Sequence, residues 1–375
     1  MDITGIICEY NPLHRGHRKQ LEAVKARFPE GGIVCLMSGN FVQRGAPAIL
    51  DKSLRAKAAV LCGADLVLEL PVTASLSSAE GFAAEGVRIL SGFCHHLCFG
   101  AETATEQGLM ETAEKLLSAD FSAALREHLD KGLSFPAARQ AALGSDLLTR
   151  PNDILAVEYC KAMLSQNSSM KPFVIHREGS YHADTADSEN PSATAVRQLM
   201  LESGAWLDYV PAEARDCFKA APIHTLQAGE KAILARLRCM TEAEFEALPH
   251  GSEGLWRKFM HAVSNSATVE EILNAAKSKR YTRTRLDRML MCAFLGITRE
   301  MMLAATPYVR VLAFNGKGRE ILKTARKHSR FINAGEDTKS DHQALEERCG
   351  DLYALFSSAA EAPGIERKRR VEYIP

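Results

Sequence analysis

The 375-residue sequence lacks the features that mark membrane, disulfide-rich and P-loop proteins. No apolar run reaches the roughly 18–20 residues that a membrane-spanning helix needs. Ten cysteines are scattered singly without a CxxC pair, which favours reduced thiols in a cytoplasmic protein over a disulfide framework. The N-terminus has no basic region before its apolar segment, so it predicts a strand and not a signal peptide. Walker A and GxGxxG motifs are both missing, which argues against a P-loop or dinucleotide-binding fold.

Positive and negative charges balance over the whole chain but not within it. Residues 1–215 carry 20 Lys and Arg against 26 Asp and Glu, whereas residues 216–375 carry 26 against 20. The stretch 277–330 holds 14 basic residues and three acids, a net charge of +11. Such a block predicts a polyanionic partner such as nucleic acid. A solvated, lysine-rich helical face is the alternative.

The first half of the chain alternates strand and helix patterns. Apolar segments predict strands at residues 3–8, 32–37, 66–70, 96–100 and 172–176. Between them, helical patterns cover residues 17–27, 52–62, 78–90, 105–115 and 153–163. Continuous apolar strands that alternate with helices predict a parallel sheet covered on both faces. Ligands bind such sheets beyond the carboxyl ends of the strands.

The second half of the chain is mainly helical in pattern. Helices are predicted at residues 228–240, 241–248, 254–263, 268–277, 281–295 and 340–360, with one strand or turn segment at 307–318. Residues 119–150 predict an inserted helical segment in the first half. The RKRR run at 367–370 predicts a mobile tail near the C-terminus.

The segment His14-Arg15-Gly16-His17 follows the first predicted strand and opens the first predicted helix. The N–H groups and partial positive charge of a helix N-terminus attract phosphate, and Gly16 lets the backbone approach a ligand. Imidazoles can donate to phosphate oxygens and stabilise the charge that develops as a phosphoanhydride breaks. This arrangement resembles the HxGH signature of the nucleotidyltransferase superfamily, so His14 and His17 are the candidate catalytic residues.

Further candidates follow the later strands. Asn40 and Gly100 are predicted to point to the same crevice, and Gly100 would let an adenine or ribose lie against the backbone. Asn152 is either a helix cap or a contact to adenine or ribose. Lys52 and Arg55 open a helix, where they either face an anion or are solvated.

Other polar groups extend the predicted crevice. Arg44 is a possible phosphate contact in the loop at residues 38–47. Ser192, Thr194 and Arg197 predict a second phosphate-binding helix start opposite the first, with an ordinary capped helix as the alternative. The run from Cys94 to Cys98 contains two histidines, but its spacing favours a packed strand over a zinc site.

Seven segments together resemble the bacterial tRNA(Met) cytidine acetate ligases. They are HRGH, SGNFVQRGAPAILDK, GADLVLELP, SSAEGFAAEGV, FGAE, RPNDILAVEY and SATAVR, all within residues 1–215, with a weaker match at 281–297. That family is described as activating acetate with ATP to give acetyl-adenylate and pyrophosphate. The acetyl group then passes to the wobble cytidine of elongator tRNA(Met), which gives N(4)-acetylcytidine and AMP.

The resemblance implies an α/β fold with two domains. A Rossmann-like HxGH nucleotidyltransferase domain with a parallel sheet would cover residues 1–215, and a mainly helical, basic, tRNA-binding domain would cover 216–375. The residues expected to line ATP are Ile7, Cys8, Glu9, Tyr10, Asn11, Pro12, Leu13, His14, Arg15, Gly16, His17, Arg18, Lys19, Gln20, Gly100, Asn152 and Arg177. Mg²⁺ would bind the ATP phosphates without a protein metal site.

The basic segment would bind the phosphates of tRNA. Its candidate residues are Lys277, Lys279, Arg280, Arg283, Arg285, Lys317 and Arg319. Two other functions remain open at this point. One is a small-molecule adenylyl- or cytidylyltransferase, and the other is an RNA-binding protein without activity. The sequence leaves the oligomeric state open.

Overall fold

The computed structural model describes residues 1–144, 146–176, 191–202 and 205–375. The strands of these residues are β1 (Ile3–Cys8), β2 (Gly32–Ser38), β3 (Phe41–Val42), β4 (Ala46–Pro47), β5 (Leu66–Leu70), β6 (His96–Ala101), β7 (Lys171–His176), β8 (Val309–Phe314), β9 (Phe331–Asn333) and β10 (Glu372–Tyr373).

Helices make up most of the rest. The first half contains α1 (Arg15–Arg27), α2 (Lys52–Leu61), α3 (Val72–Ser75), α4 (Ala79–Leu90), α5 (Glu106–Leu117), α6 (Ala119–Asp130), α7 (Phe135–Leu143), α8 (Pro151–Ser165), α9 (Ala193–Glu202) and α10 (Ala212–Phe218). The second half contains α11 (Leu226–Arg238), α12 (Glu242–Glu246), α13 (Leu255–Asn265), α14 (Val269–Ala276), α15 (Arg283–Leu295), α16 (Arg299–Leu303), α17 (Gly316–Ala325), α18 (Asp341–Tyr353) and α19 (Ile365–Lys368). Short 3-10 turns occupy Asp146–Thr149, Ala205–Tyr209 and Ala354–Phe356.

One large sheet organises the molecule. Its strand order is β10-β8-β5-β2-β1-β6-β7, with β9 paired to β8. The five strands that the first half contributes to this sheet, β1, β2, β5, β6 and β7, run parallel, whereas β8 is antiparallel to β5. From β1 the chain first builds β2 and β5 on one side and then β6 and β7 on the other. The order therefore reverses between β1 and β6, and the crevice at the carboxyl ends of these strands is where such sheets bind ligands.

The predicted α/β fold with a mostly parallel sheet is confirmed. The five predicted strands of the first half match the observed ones to within one residue at each end. Their apolar side chains explain this agreement, since every residue of β2 and β5 is buried. A strand covered on both faces is mostly apolar, and that pattern is visible in the sequence. The inserted segment is helical as expected, with α6 and α7.

The second half is less separate than its helical pattern indicates. Its strands β8, β9 and β10 complete the sheet that the first half begins. Val309 and Val311 lie in the same apolar core as Leu66 and Leu68. The division of the chain at 215/216 stays a prediction, and the shared sheet makes the two segments neighbours in one core.

The expectation of a mobile RKRR tail is wrong for Arg369. This side chain is 8% exposed and forms ion pairs with Asp51 and Glu366. The local sequence does not reveal the pairing with Asp51, which lies 318 residues away, and these ion pairs hold the segment in place. In the described part of the chain, we find no helix with the length and apolar character that a bilayer crossing requires.

Candidate nucleotide-binding site

The two histidines of the HRGH segment cap the helix that they open. His14 is the N-cap of α1, and the N–H of Gly16 donates to its Nδ1 at 3.1 Å. The N–H of His14 in turn donates to Nδ1 of His17 at 3.3 Å. Because both Nδ1 atoms accept, this network assigns the proton of each neutral ring to Nε2. Each imidazole therefore has an N–H donor on the edge opposite its capping bond.

The rings are held in place by packing. His14 and His17 stack with centroids 3.8 Å apart, and the edge of Tyr10 meets His17 at 5.0 Å. His14 and Tyr10 are each 1% exposed. Burial raises the pKa of the Tyr10 phenol well above its ordinary value, so Tyr10 stays neutral beside the histidines. Its hydroxyl lies 3.3 Å from Sγ of Cys35 on β2.

Gly16 leaves the room that the His14 ring occupies. A Cβ at position 16 would lie 3.0 Å from Cε1 and 3.2 Å from Nδ1 of His14. It would also lie 4.0 Å from the carbonyl oxygen of Pro191, which precedes α9. The glycine is thus required by close approach between the turn, the ring and the start of α9.

The start of α9 contacts the turn before α1, and its predicted role in binding phosphate stays a prediction. Arg197 donates to the carbonyl of Asn11 at 2.7 Å and to the hydroxyl of Thr194 at 3.0 Å. Ser192 accepts from the N–H of Ala195 at 3.0 Å, which makes it the cap of α9. The two helix starts are therefore neighbours, and their partial positive charges add.

A second group of residues closes the end of β6. The side chain of Asp153 is fully buried and accepts from the N–H of Glu102 at 2.7 Å and the hydroxyl of Thr103 at 2.9 Å. The amide of Asn152 donates to the Glu102 carboxylate at 2.9 Å. These bonds fix the backbone that follows Gly100, which is half-buried on β6. Asn152 therefore contacts the segment that follows β6, and the predicted contacts of Asn152 and Gly100 to ATP stay predictions.

Lys52 and Arg55 adopt neither of the two predicted positions. Lys52 is 3% exposed and pairs with Glu69 at 2.6 Å and Glu366 at 2.8 Å. Arg55 is fully buried and donates to backbone carbonyls. Asn40 caps this helix region, since its Oδ1 accepts from the N–H of Lys52 at 2.8 Å. All three are structural supports behind the crevice.

Several residues of the predicted ATP stretch point elsewhere. Arg18 pairs with Glu22 at 2.8 Å and with Glu213. Ile7 packs closely on Gly86 of α4, where an added Cβ would lie 2.4 Å from the Cδ1 of Ile7. Gln20 donates to Sγ of Cys98 at 3.6 Å.

Two further predicted contacts to the nucleotide are arginines. Arg44 is exposed at the tip of the β3–β4 hairpin. Arg177 lies outside the described residues.

The run from Cys94 to Cys98 has structural contacts. His95 accepts from the N–H of Ile3 at 3.0 Å, and His96 stacks on Phe28 with centroids 4.3 Å apart. Cys94 and Cys98 are buried, and burial raises the pKa of Cys94 beyond its ordinary value. Both histidines therefore secure the start of the central strands.

The predicted tRNA-binding residues fall into two groups. Near α15, Arg280 pairs with Glu253 at 3.2 Å, and Arg283 pairs with Glu270 at 2.7 Å and Asp287 at 2.8 Å. Arg285 donates to the carbonyl of His250 at 2.9 Å. Lys277 and Lys279 are exposed next to them. Carboxylates thus offset much of the positive charge of this first group.

The second group lies on α17. Lys317 donates to the carbonyl of Gly31, which precedes β2, at 3.0 Å. Arg319 lies over the ring of Tyr373 at 5.0 Å. One cation of the basic segment is internal, since Arg310 is 4% exposed and pairs with Glu69 and Glu346. The basic segment is therefore not one continuous surface.

The sequence of the chain matches a known family over almost its full length. The family model described as "HIGH Nucleotidyl Transferase" matches residues 1–367. Proteins named tRNA(Met) cytidine acetate ligase from Clostridium perfringens and Clostridium acetobutylicum are each 36% identical to it. The matches cover 91% and 96% of this chain and 92% and 96% of those proteins. The chain belongs to this ligase family.

Solved structures agree with this assignment. A crystal structure of Thermotoga maritima TmcAL bound with alpha-thio ATP matches with a TM-score of 0.89 and 28% identity, over 100% of this chain and 99% of that one. The apo form of the Thermotoga protein matches with a TM-score of 0.92, also at 28% identity and over the full length of both chains. The fold of this member of the family is therefore that of a HIGH nucleotidyltransferase.

The sequence did not reveal the role of Arg55 or single out Asp153, which are buried supports of the site. Arg55 and Asp153 hold the ends of β1, β2 and β6 through backbone groups. A single arginine in the alanine-rich segment KSLRAKAAV was the available signal for Arg55, since a buried helix face seldom carries one.

Proposed function

We propose that this protein activates acetate with ATP and transfers the acetyl group to the wobble cytidine of elongator tRNA(Met). The paired Nε2–H donors of His14 and His17 at the start of α1 carry the first half of this proposal. They lie at the switch point of the sheet, where phosphates meet helix N-termini. The names of the family's members support the choice of acetate and tRNA(Met).

In the first step an acetate oxygen forms a bond to the α-phosphorus of ATP. The bond from that phosphorus to the bridging oxygen breaks, and pyrophosphate leaves. His14 and His17 donate Nε2–H bonds to the phosphate oxygens, where negative charge accumulates. The adjoining start of α9, tied to the turn by Arg197, adds further positive potential. The product that stays bound is acetyl-adenylate.

In the second step the exocyclic amine of cytidine attacks the acetyl carbonyl. The carbonyl–phosphate oxygen bond breaks, AMP leaves, and the amine loses one proton. The adenylate is already activated, so a protein nucleophile is unnecessary. Burial raises the pKa of the Cys8 thiol at the end of β1. The thiol therefore stays protonated and is a poor nucleophile, which agrees with a step that uses none.

We place Mg²⁺ on the ATP phosphates and the protein in the cytoplasm. Within the described ranges, His, Cys, Asp and Glu side chains form no group of three or more that could hold a metal ion. Mg²⁺ often binds mainly through substrate phosphates and water. Bound there, it would neutralise charge on the leaving pyrophosphate.

Acetate-dependent exchange of labelled pyrophosphate into ATP tests the first step. We expect exchange with acetate, and none with nicotinamide mononucleotide or pantetheine phosphate. His17→Ala is expected to reduce the rate about 10²-fold or more. His261→Ala, an exposed histidine on α13, is the matched control and should keep the full rate.

Mass spectrometry of a tRNA(Met) transcript tests the second step. Incubation with ATP and acetate should give N(4)-acetylcytidine at the wobble position together with AMP. Pyrophosphate exchange without cytidine acetylation would support the formation of acetyl-adenylate and contradict tRNA(Met) as the acetyl acceptor. Absence of both would overturn the proposed function and revive the RNA-binding alternative.

A further inference from the structure

The exposed side of α17 and the turn after it carry a cluster of cations. Residues 316–330 contain six Lys and Arg and one acid, Glu320. We name five exposed residues the α17 surface: Arg319, Lys323, Arg326, Lys327 and Arg330. The apolar residues of the helix face inward, since Ile321, Leu322 and Ala325 are buried. The helix thus has a basic outer side and an apolar inner side.

The charge of the α17 surface is largely uncompensated. Lys323 pairs with Glu320 at 2.7 Å. Counting only carboxylates from the described ranges, the other four cations have no ion pair. The arginines near α15 differ, because Glu253 and Glu270 neutralise Arg280 and Arg283. Cations without partners keep the electrostatic field that attracts a polyanion.

The α17 surface lies far from the nucleotide crevice. Ile321 packs against Gly32, the first residue of β2, and His328 packs against Gly92 in the turn that precedes β6. The histidines of the HRGH segment follow the carboxyl end of β1. A seven-residue strand such as β2 spans about 20 Å, so a single nucleotide cannot contact both places. A partner that reaches both must be long.

An aromatic side chain favours RNA over a membrane as that partner. Tyr373 is 48% exposed, and the guanidinium of Arg319 lies 5.0 Å from its ring. Exposed aromatic rings beside cations stack on unpaired bases. Membrane-binding helices instead expose aliphatic side chains, which α17 buries. We propose that the α17 surface binds the phosphates of the tRNA substrate at a point remote from the reacting base, an inference that rests on the proposed function.

Charge reversal tests this surface. In the triple variant Arg326→Glu/Lys327→Glu/Arg330→Glu, all changed side chains are exposed, so folding should be preserved. We expect the Kd for tRNA(Met) to rise at least about tenfold, and the salt slope of binding to shrink by about one per lost contact. The control reverses three exposed cations elsewhere, Lys25, Arg126 and Lys131. Calorimetric ATP binding should be unchanged in both variants.

The results distinguish a failure of the α17 surface proposal from a failure of the proposed function. A triple variant that binds tRNA like the unsubstituted protein, or a control that loses as much affinity, would overturn the surface alone. Absence of tRNA binding by the unsubstituted protein would overturn the surface and the tRNA substrate together. Sedimentation with phosphatidylglycerol vesicles that requires these three cations, with tRNA binding intact, would assign the surface to a membrane and reject the RNA partner.

A second, independent observation concerns a guanidinium beneath the crevice. Arg55 is fully buried on α2, and Nε donates to the carbonyl of Leu50 at 2.8 Å. Nη1 donates to the carbonyls of Glu9 at 2.6 Å and Ser38 at 3.1 Å, and Nη2 donates to that of Gly39. These carbonyls lie at the carboxyl ends of β1 and β2. Arg55 therefore ties together the two strand ends from which the crevice loops leave.

Carbonyl dipoles surround the positive charge of Arg55. None of the carboxylates in the described segments lies within ion-pair distance of this guanidinium. A buried cation costs free energy unless anions or dipoles offset the loss of water, and carbonyl dipoles offset it only in part. The triphosphate of ATP would bring negative charge to the adjoining crevice. Asp51 and Glu9 act on the guanidinium only from beyond ion-pair distance, so the buried cation would gain further counter-charge when the nucleotide binds.

We infer that Arg55 is a positioning residue that fixes the turn bearing His14 and supplies positive potential to the bound phosphates. This role predicts a difference between ATP and adenosine, which has the same base and ribose but no charge. In Arg55→Met we expect the Kd for ATP to rise about tenfold or more, and the Kd for adenosine to change less than about threefold. Isothermal titration measures both.

Arg55→Lys provides the second variant. It keeps the charge but lacks the planar fork that reaches several carbonyls. We expect its ratio of ATP to adenosine affinity to stay near that of the unsubstituted protein, while kcat for pyrophosphate exchange falls about tenfold because the turn shifts. Equal loss of ATP and adenosine affinity in Arg55→Met would overturn the electrostatic role. An unchanged kcat in Arg55→Lys would overturn the positioning role, even if Arg55→Met fails to fold.

Discussion

His14 serves the fold and the ligand through opposite edges of one ring. Its Nδ1 accepts the capping bond from Gly16, and its Nε2–H is the donor assigned to phosphate. Asparagine is among the best N-cap residues but has no imidazole. In His14→Asn we expect the free energy of unfolding to stay within about 0.5 kcal/mol, while exchange activity falls about 10²-fold. Urea unfolding and pyrophosphate exchange measure the two effects.

The companion variant His14→Ala separates the two roles. It removes both the cap and the donor, so we expect a loss of about 1 kcal/mol in addition to the loss of activity. If His14→Asn were destabilised as much as His14→Ala, the capping interpretation would fail. If it kept full activity, the donor role would fail.

Substitution of Gly16 is expected to preserve or raise stability while it lowers activity. The added methyl of Gly16→Ala would meet the His14 ring at 3.0 Å, so the ring must move by a few tenths of an ångström. Alanine favours a helix over glycine by about 1 kcal/mol, which should preserve or raise stability. We expect kcat for exchange to fall about tenfold, because catalytic groups tolerate little displacement. A variant that is stabilised and fully active would contradict the required close approach.

At the scale of elements, buried charges join both halves of the chain. Three cations, Lys52, Arg310 and Arg369, contact four carboxylates of α2, β5, α18 and α19: Asp51, Glu69, Glu346 and Glu366. Burial would raise the pKa of Asp51, but Arg369 holds that pKa well below its ordinary range. Arg310 likewise overcomes burial and lowers the pKa of Glu346 to about 2. Asp51 and Glu346 therefore stay charged in the folded protein at pH values where free carboxylates become protonated.

This network predicts how stability depends on pH. A carboxylate whose pKa is lower in the folded state stabilises the fold above its unfolded pKa of about 4, and the effect is lost as pH falls through the folded pKa. We expect the free energy of unfolding to fall as pH drops from about 5 to about 2. In Arg369→Met this slope should flatten, and stability at neutral pH should fall by about 3–5 kcal/mol, because Asp51 and Glu366 lose a buried partner.

Arg367→Met is the matched control for this change. Arg367 lies two residues away but is 74% exposed in its pair with Glu347. Its removal should leave both the stability at neutral pH and the acid slope nearly unchanged. Denaturation with urea over a pH series, followed by circular dichroism, measures both variants. Equal slopes in Arg369→Met and the unsubstituted protein would reject the network as a source of acid sensitivity.

The same elements show what could be predicted from sequence. Strands β1 and β5 and the start of α1 follow from local patterns, namely apolar runs and a turn with glycine. The placement of Arg369 does not, because Asp51 lies 318 residues away and Arg310 meets Glu69 across 241 residues. A basic residue in a polar run is predicted to be exposed unless its distant partner is known. The histidines of the site were therefore predictable, whereas Arg55 and the buried pairs behind it were not.

The whole molecule shares one sheet between the two predicted domains. Strand β8 pairs with β5, and β10 pairs with β8. Residues beyond 215 therefore cover the β5 edge of the sheet that the first half begins. A fragment of residues 1–215 would expose the edge of β5 and leave Lys52 and Glu69 without Arg310 and Glu366. Unpaired buried charges and an open apolar edge each cost several kcal/mol, comparable with the total stability of a domain. We therefore expect this fragment alone to lack cooperative unfolding and ATP binding.

Complementation provides the control for that fragment. Co-expression of residues 1–215 with residues 216–375 should restore a soluble complex, because the second fragment supplies β8, β9 and β10 together with Arg310, Glu346, Glu366 and Arg369. Urea unfolding and calorimetric ATP titration compare the single fragment, the complex and the intact chain. Cooperative unfolding and full ATP affinity in the single fragment would mean that its five parallel strands form an independent domain. Failure of the fragment and recovery in the complex would instead make the second half a structural part of the nucleotide site.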